Sequence, residues 1–274
     1  MVLYADKFNK IIKFFKKNNI AIDKPGFFND PNFLKFEQKN PRFLNCYARY
    51  VYGRKYDREY LIEAEDKILK ACEIMHSELL KDGRKGACID LSIVLAQILD
   101  KLGVWNFVVK GALTMEFPTE PNIGNQYFWP MDVNDSMAGH VWIYAPPFTV
   151  IDLTIHEQPY EKYIENYIPD KIFLKKTTLV DFTINDICSP EFRHYMEMNR
   201  MPLSFKGIDM VNPELKHFFK IFKTSSFQKR ELSLKYIPCA VSGSEAPLER
   251  VTSLNLSGKT GYEVYKELIE PIFI

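Results

Sequence analysis

The sequence predicts an α+β fold in which a central cysteine-bearing helix packs on an antiparallel sheet, and three observations predict it. The chain has 274 residues, 46% of them hydrophobic, which is enough to bury a sizeable core. The run CIDLSIVLAQILDKLGV, opening at Cys88, carries Leu91, Leu95, Ile98, Leu99 and Leu102 at helical spacing and stops at Gly103. Strand-like runs follow it: WNFVVKGALTM over 105–115, then GHVWIYA over 139–145 and FTVIDLT within 148–155. A helical region (1–80) is expected before this core (81–160), and an α/β extension packed on it (161–274) after, the three forming one compact unit.

The elements follow in chain order. Phe8, Ile11, Ile12 and Phe15 fall at i, i+3, i+4 and i+7, with Lys7, Lys10, Lys13, Lys16 and Lys17 mostly elsewhere on the wheel, so the N-terminus reads as an amphipathic helix. Lys24-Pro25-Gly26 and Asn29-Asp30-Pro31 break it. An aromatic-rich stretch then leads into a long helix, EYLIEAEDKILKACEIMHSELLK. Leu61, Ile68, Leu69, Cys72 and Leu79 are its expected core stripe, with His76 at the surface or an interface.

Lys81 to Gly86 is a loop, and Gly83 and Gly86 allow a sharp approach to the Cys88 helix. Between the first and second strand-like runs lies EFPTEPNIGNQYFWPMDVNDSMA, over 116–138. Connectors of this length are uncommon unless they are lids, binding loops or disordered. Tyr127, Phe128 and Trp129 make it a candidate substrate-contacting lid, and an insertion without fixed structure is the alternative. Further on, Asn212-Pro213-Glu214 starts a helix with Leu215, Phe218, Phe219 and Phe222 on its apolar face. SLKYIPCAV and RVTSLNLS read as strands, and GYEVYKELIE as a closing helix.

Composition narrows the function. The 36 basic and 35 acidic side chains nearly cancel, so no whole-protein field points to nucleic acid or an anionic membrane. No apolar run is long enough for stable membrane insertion, and the N-terminus lacks the pattern of a secretory signal. Cys46, Cys72, Cys88, Cys188 and Cys239 are odd in number and without paired spacing, which suits a reducing, cytoplasmic setting.

Cys88, His140 and Asp152 are the candidate catalytic residues. The free N–H groups at a helix start favour a thiolate on Cys88, and Arg84 and Lys85 lie just upstream. Acyl transfer needs such a nucleophile, a base for its proton and a group that orients the base, and Cys, His and Asp supply these in order. If the connection centred on Pro146 has an odd length, His140 and Asp152 oppose each other on one face. A two-residue connection would separate them unless a bulge intervened. Trp142 shares the His140 face by the period of two and is a candidate wall of the site, or a core tryptophan. Tyr127 and Trp129 are the other candidate substrate contacts. Taken singly, the three residues have plainer explanations: packed cysteine, edge histidine, turn-capping aspartate. Cys88, His140, Asp152 and His156 also offer ligands to a metal, but no CxxC, HxH or HExxH spacing occurs, so neither metal nor cofactor is expected.

GACIDLSIVLAQILDKLGV followed by GHVWIYAPPFTVIDLT resembles the core of the transglutaminase-like superfamily, with its papain-like fold. The resemblance covers about residues 80 to 156. It implies a Cys88-His140-Asp152 triad and thiol-dependent acyl transfer or amide hydrolysis on a protein or peptide substrate, of the cysteine peptidase or glutamine acyltransferase type. A toxin or effector using the same chemistry is a variant of this reading. The Arg-Gly-Gly lead-in and Asp-Val-Gly-Phe-Gly segment associated with arylamine N-acetyltransferases are absent, as are the CxxC pairs of peptide N-glycanases. The rival classes are a binding module that keeps the fold without catalysis and a protein acting on membranes or partners through its basic helices.

Overall fold

The computed structural model describes the chain except residues 1, 118–122, 134–138, 177, 230, 231 and 245. The outer parts of the expected 116–138 lid therefore lie outside the described residues. The N-terminal part is helical: α1 (Val2–Lys17), α2 (Pro31–Glu37), α3 (Leu44–Gly53), α4 (Arg58–Asp82) and α5 (Cys88–Lys101). Local chemistry sets several of these starts. The Asp30 carboxylate accepts from the Asn32 and Phe33 N–H groups at 2.7 and 3.3 Å with Pro31 at the first helical position, and Asp57 accepts from Tyr60 N–H at 2.7 Å.

The strands β1 (Phe107–Glu116), β2 (Gln126–Phe128), β3 (His140–Ala145) and β4 (Phe148–Asp152) follow. After them come α6 (Lys162–Glu165), β5 (Ile172–Leu174), α7 (Ile184–Ile187), α8 (Pro190–Met198), α9 (Phe205–Val211), α10 (Pro213–Ile221), β6 (Ser225–Lys229) and β7 (Leu232–Ser242). The chain closes with β8 (Asn255–Leu256), β9 (Lys259–Thr260) and α11 (Gly261–Val264), which runs on into a π-helical turn at Tyr265–Ile269.

The protein is thus α+β. Strands run in the order β5-β4-β3-β1-β7-β6 in a seven-stranded sheet, with β2 added antiparallel to β1 through Leu113↔Phe128, Thr114↔Tyr127 and Met115↔Gln126. The C-terminal third builds into this sheet as well as packing on it, since β7 lies beside β1. Of the stretch RVTSLNLS, only Asn255–Leu256 is a strand, paired with β9 in a separate hairpin.

The chain divides into two compact units, each discontinuous in sequence, whereas the three expected segments are consecutive. Unit 1 comprises 1–108, 143–148 and 241–274, and unit 2 comprises 109–142 and 149–240. Aromatic packing dominates the first part of unit 1. Phe27, 2% exposed, meets Phe15, Tyr47, Tyr50 and Trp105 edge-on at ring separations of 5.3, 4.9, 5.2 and 6.2 Å. The Arg54 guanidinium covers Trp105 at 4.5 Å and donates to the Tyr50 hydroxyl at 3.0 Å. On α5 the expected face is buried, with Leu91, Leu95, Ile98 and Leu99 at most 1% exposed.

Helix α4 departs from its expected stripe. Leu69 is 41% exposed and His76 only 5%. Ala64, Ile68, Ala71, Cys72, Met75 and Leu79 line its buried face, and small alanines allow close approach on one side of the stripe where the leucine was expected.

In unit 2 one sheet face packs on the helices after β5. Ala112 of β1 and Ile237 of β7 share a core with Ile187, Cys188, Phe192, Met196, Ile208 and Leu215. Thr114, on the same face as Ala112 by the period of two, donates to the buried Asp186 at 2.8 Å. The opposite face carries the candidate site.

Phe27→Ala is expected to destabilise unit 1 by about 3–5 kcal/mol, because several rings lose a partner at once. Leu69→Ala should cost under about 1 kcal/mol, as an exposed position does. Urea unfolding followed by circular dichroism compares the two.

Candidate active site

Cys88 is the first residue of α5, in unit 1. Ala87 stands at its N-cap without a side-chain hydrogen bond, so the cap residue itself does not occupy the N–H groups of the first turn. Its side chain is 7% exposed.

His140 and Asp152 belong to unit 2, at the first residue of β3 and the last of β4. Both side chains are fully buried, and His140 Nε2 lies 2.7 Å from Asp152 Oδ2. The connection between the strands is Pro146-Pro147, two residues joined by a cis peptide. Strict alternation through two residues would have put the pair on opposite faces, so their contact records a departure from that alternation.

Asp152 is held from several directions. Its Oδ1 accepts from the Thr154 N–H at 3.0 Å and the Thr154 hydroxyl at 3.2 Å. Its Oδ2 accepts from the Tyr236 hydroxyl of β7 at 3.0 Å. Burial would raise the Asp152 carboxyl, but the neighbouring His140 and the hydrogen bonds from His140, Thr154 and Tyr236 together hold it below its ordinary value. The Tyr236 hydroxyl is pushed well up, first by burial and then by the Asp152 charge, so it stays protonated and donates.

Two glycines let these groups converge. A Cβ on Gly111 of β1 would stand 2.1 Å from the Ile237 carbonyl oxygen and 2.6 Å from the Trp142 ring. At Gly139, with φ +66, a Cβ would stand 2.4 Å from the Gly111 carbonyl oxygen. Trp142 and Tyr236 thus meet across the sheet at a ring separation of 5.2 Å, near edge-on.

Trp142 shares the His140 face, with ring centroids 6.4 Å apart, and is 1% exposed. Its indole packs beneath the pair. The connector at 116–138 holds β2, a short strand the sequence reading did not expect. Phe128 of β2 places its ring 5.4 Å from that of His140. Tyr127 and Trp129 alternate to the other side, where they stack at 5.1 Å, and the Trp129 indole N–H donates to the Asn185 carbonyl at 2.7 Å. His156 pairs with its neighbour, Nδ1 lying 2.9 Å from Glu157 Oε1. Among the described residues, no group of three or more His, Cys, Asp and Glu side chains gathers as a metal site.

Tyr236 and Thr154 are the site residues that sequence reasoning missed. Thr154 was within reach, since Asp followed two residues later by Thr is a local turn pattern. Tyr236 lies 84 residues beyond Asp152, and only strand order brings it there.

No match to this chain was found among family models, curated proteins or solved structures. The transglutaminase-like reading therefore rests on the residues themselves. No described helix is long and apolar enough to cross a membrane.

The geometry predicts a pH dependence. A carboxyl lowered on folding contributes stability that is fully present above its unfolded value, about 3.9, and lost as pH falls through the folded value. Acid unfolding below pH about 4 should therefore be less steep in Asp152→Asn than in the unsubstituted protein. Equal slopes would mean that the Asp152 charge is not stabilised by folding.

Proposed function

We propose that the protein is a cysteine-dependent acyl-transfer enzyme of the transglutaminase-like type, a peptidase, amidase or glutamine acyltransferase. Cys88 is the nucleophile, His140 the general base and Asp152 the group that orients it. The observation that carries this reading is the fully buried His140–Asp152 hydrogen bond at 2.7 Å. A carboxylate on one imidazole nitrogen fixes the tautomer and stabilises the ring when it becomes charged.

In the proposed reaction the Cys88 sulfur attacks an amide or ester carbonyl while His140 takes the thiol proton. The tetrahedral oxyanion is met by N–H groups of the first turn of α5. Collapse breaks the C–N or C–O bond, and His140 returns the proton to the leaving group. Water or an amine then resolves the thioester, giving hydrolysis or transfer. We assign Trp142 as backing for the base. A protein or peptide substrate is part of the proposal, as is a cytoplasmic setting. The reading leaves housekeeping and effector roles equally served by the same chemistry.

The contrast among cysteines supports the assignment. Burial raises Cys46 above its ordinary value and pushes Cys188 and Cys239 up to about 12. Cys72 is fully buried on α4. These thiols are chemically suppressed. Iodoacetamide near neutral pH is therefore expected to label Cys88 first, with peptide mapping by mass spectrometry as the readout. His140→Ala should slow that labelling, Asp152→Asn should slow it by a smaller or equal factor, and the double variant should lose little more than His140→Ala alone. Labelling of Cys88 no faster than Cys46, or indifferent to His140, overturns the proposal in favour of a non-catalytic binding module.

Tyr236→Phe refines the test. It should keep the fold but weaken the hold on Asp152, giving an intermediate labelling rate and a shifted His140 imidazole resonance in NMR titration. An unchanged His140 titration would reduce Tyr236 to a packing residue.

A further inference from the structure

Unit 1 contains a cavity of about 510 Å³ at the C-terminal end of α5, in the size range of small-molecule sites. It lies roughly 14 Å or more along the helix from Cys88. Its wall combines apolar surface from Pro25, Phe27, Pro31, Pro247 and Leu248 with the side chains of Gln97 and Asp100.

The polar groups of this wall ask for donors. The Gln97 side chain donates through Nε2 to the Ala246 carbonyl at 2.6 Å, but its buried Oε1 has no hydrogen-bond partner among the described residues, in a residue only 6% exposed. Such an acceptor costs free energy until a donor reaches it. Asp100 receives the Asn106 amide on Oδ1 at 2.9 Å, leaving Oδ2 to accept. Burial pushes the Asp100 carboxyl well above its ordinary value, although the Asn106 amide acts to lower it. A neighbouring cation would relieve that penalty.

Two further features favour positive charge. The last turn of α5 presents the negative end of a 14-residue helix. The acidic lining groups Asp30, Asp100 and Glu249 outnumber the basic Lys24 and Lys101. Lys101 is already paired with Glu249 at 2.6 Å, and Lys24 is exposed to water. Asp30 accepts from the backbone N–H groups of Ala21, Asn32 and Phe33, so the inner carboxyl open to a ligand is that of Asp100, whose ionised form a bound cation would favour.

Gln97 and Asp100 are three residues apart, hence neighbours on one helix face. A planar donor with two diverging N–H groups matches two adjacent acceptors better than a point-like ammonium does. We propose that this cavity is a second binding site, separate from the thiol chemistry, which takes an amidinium or guanidinium group between Gln97 Oε1 and Asp100 Oδ2 and the attached hydrocarbon against the proline, phenylalanine and leucine walls.

Benzamidine is the probe and benzamide its neutral counterpart, titrated by calorimetry into the full chain near neutral pH. Benzamidine should bind saturably with one site and at least about tenfold more tightly than benzamide. Asp100→Asn should reduce benzamidine affinity by about tenfold or more and leave benzamide little changed. Gln97→Met, which removes the unmet acceptor and keeps similar length, should also weaken benzamidine. Chemical-shift mapping should place the perturbed amides at Gly26 and along Gln97 to Leu102. If Asp100→Asn fails to fold, Gln97→Met and the mapping decide. Equal affinity for the two probes, no saturation at millimolar concentrations, unchanged affinity in the folded variants or shifts elsewhere would each overturn the proposal.

Discussion

A carboxylate and an imidazole that are both removed from water depend on each other, and unit 2 is organised by that dependence. A lone buried Asp152 would be strongly disfavoured, and burial alone acts to raise its carboxyl. The charge persists because His140, the Thr154 N–H and hydroxyl and the Tyr236 hydroxyl all address its two oxygens. Every one of those donors comes from a defined place in the fold: the start of β3, the turn after β4 and the middle of β7. Replacing any of them leaves a buried acceptor less well satisfied, which is more expensive than never having built the network.

The sheet accommodates this cluster by omitting side chains where the groups must pass. Gly111 leaves room on β1 for the Trp142 indole and the backbone of β7, and Gly139 lets the chain enter β3 against the Gly111 carbonyl. The opposite face of the same strands is conventional by comparison, with Ala112 and Ile237 packed on α8, α9 and neighbouring segments. One face therefore supplies the apolar burial that holds the strands, and the other spends part of that stability on a polar constellation. Strand β2 adds to the second face by laying Phe128 beside His140, which excludes water from one side of the ring.

Unit 1 has a different basis. Its aromatic cluster and long helices supply the apolar burial, and α5 runs through it with Cys88 at one end and Gln97 and Asp100 toward the other. The two ends of that helix present opposite partial charges. The N-terminal end suits an anion such as a thiolate or an oxyanion, and the C-terminal end suits a cation. The separate chemistries assigned to Cys88 and to the Asp100 cavity thus follow from the same backbone.

The sequence by itself determined what local spacing can carry. The start of α5 at Cys88, its buried leucine and isoleucine face, the strands that begin near Gly139 and Phe148 and the helix that starts at Pro213 are all visible as periodicity and punctuation. Tertiary structure decided the rest. Whether His140 and Asp152 share a face turned on a one-residue matter of register that no local pattern fixes. Leu69 and His76 exchanged their expected environments because the packing partners of α4, not its own periodicity, select which edge of the apolar stripe is covered. β2 is too short and too irregular in sequence to announce itself, and exists by pairing with β1. Tyr236 reaches Asp152 only because β7 inserts beside β1 in the strand order. Contacts made across a sheet join residues far apart in the chain, so sequence can name the donors and acceptors but only the folded topology chooses which of them meet.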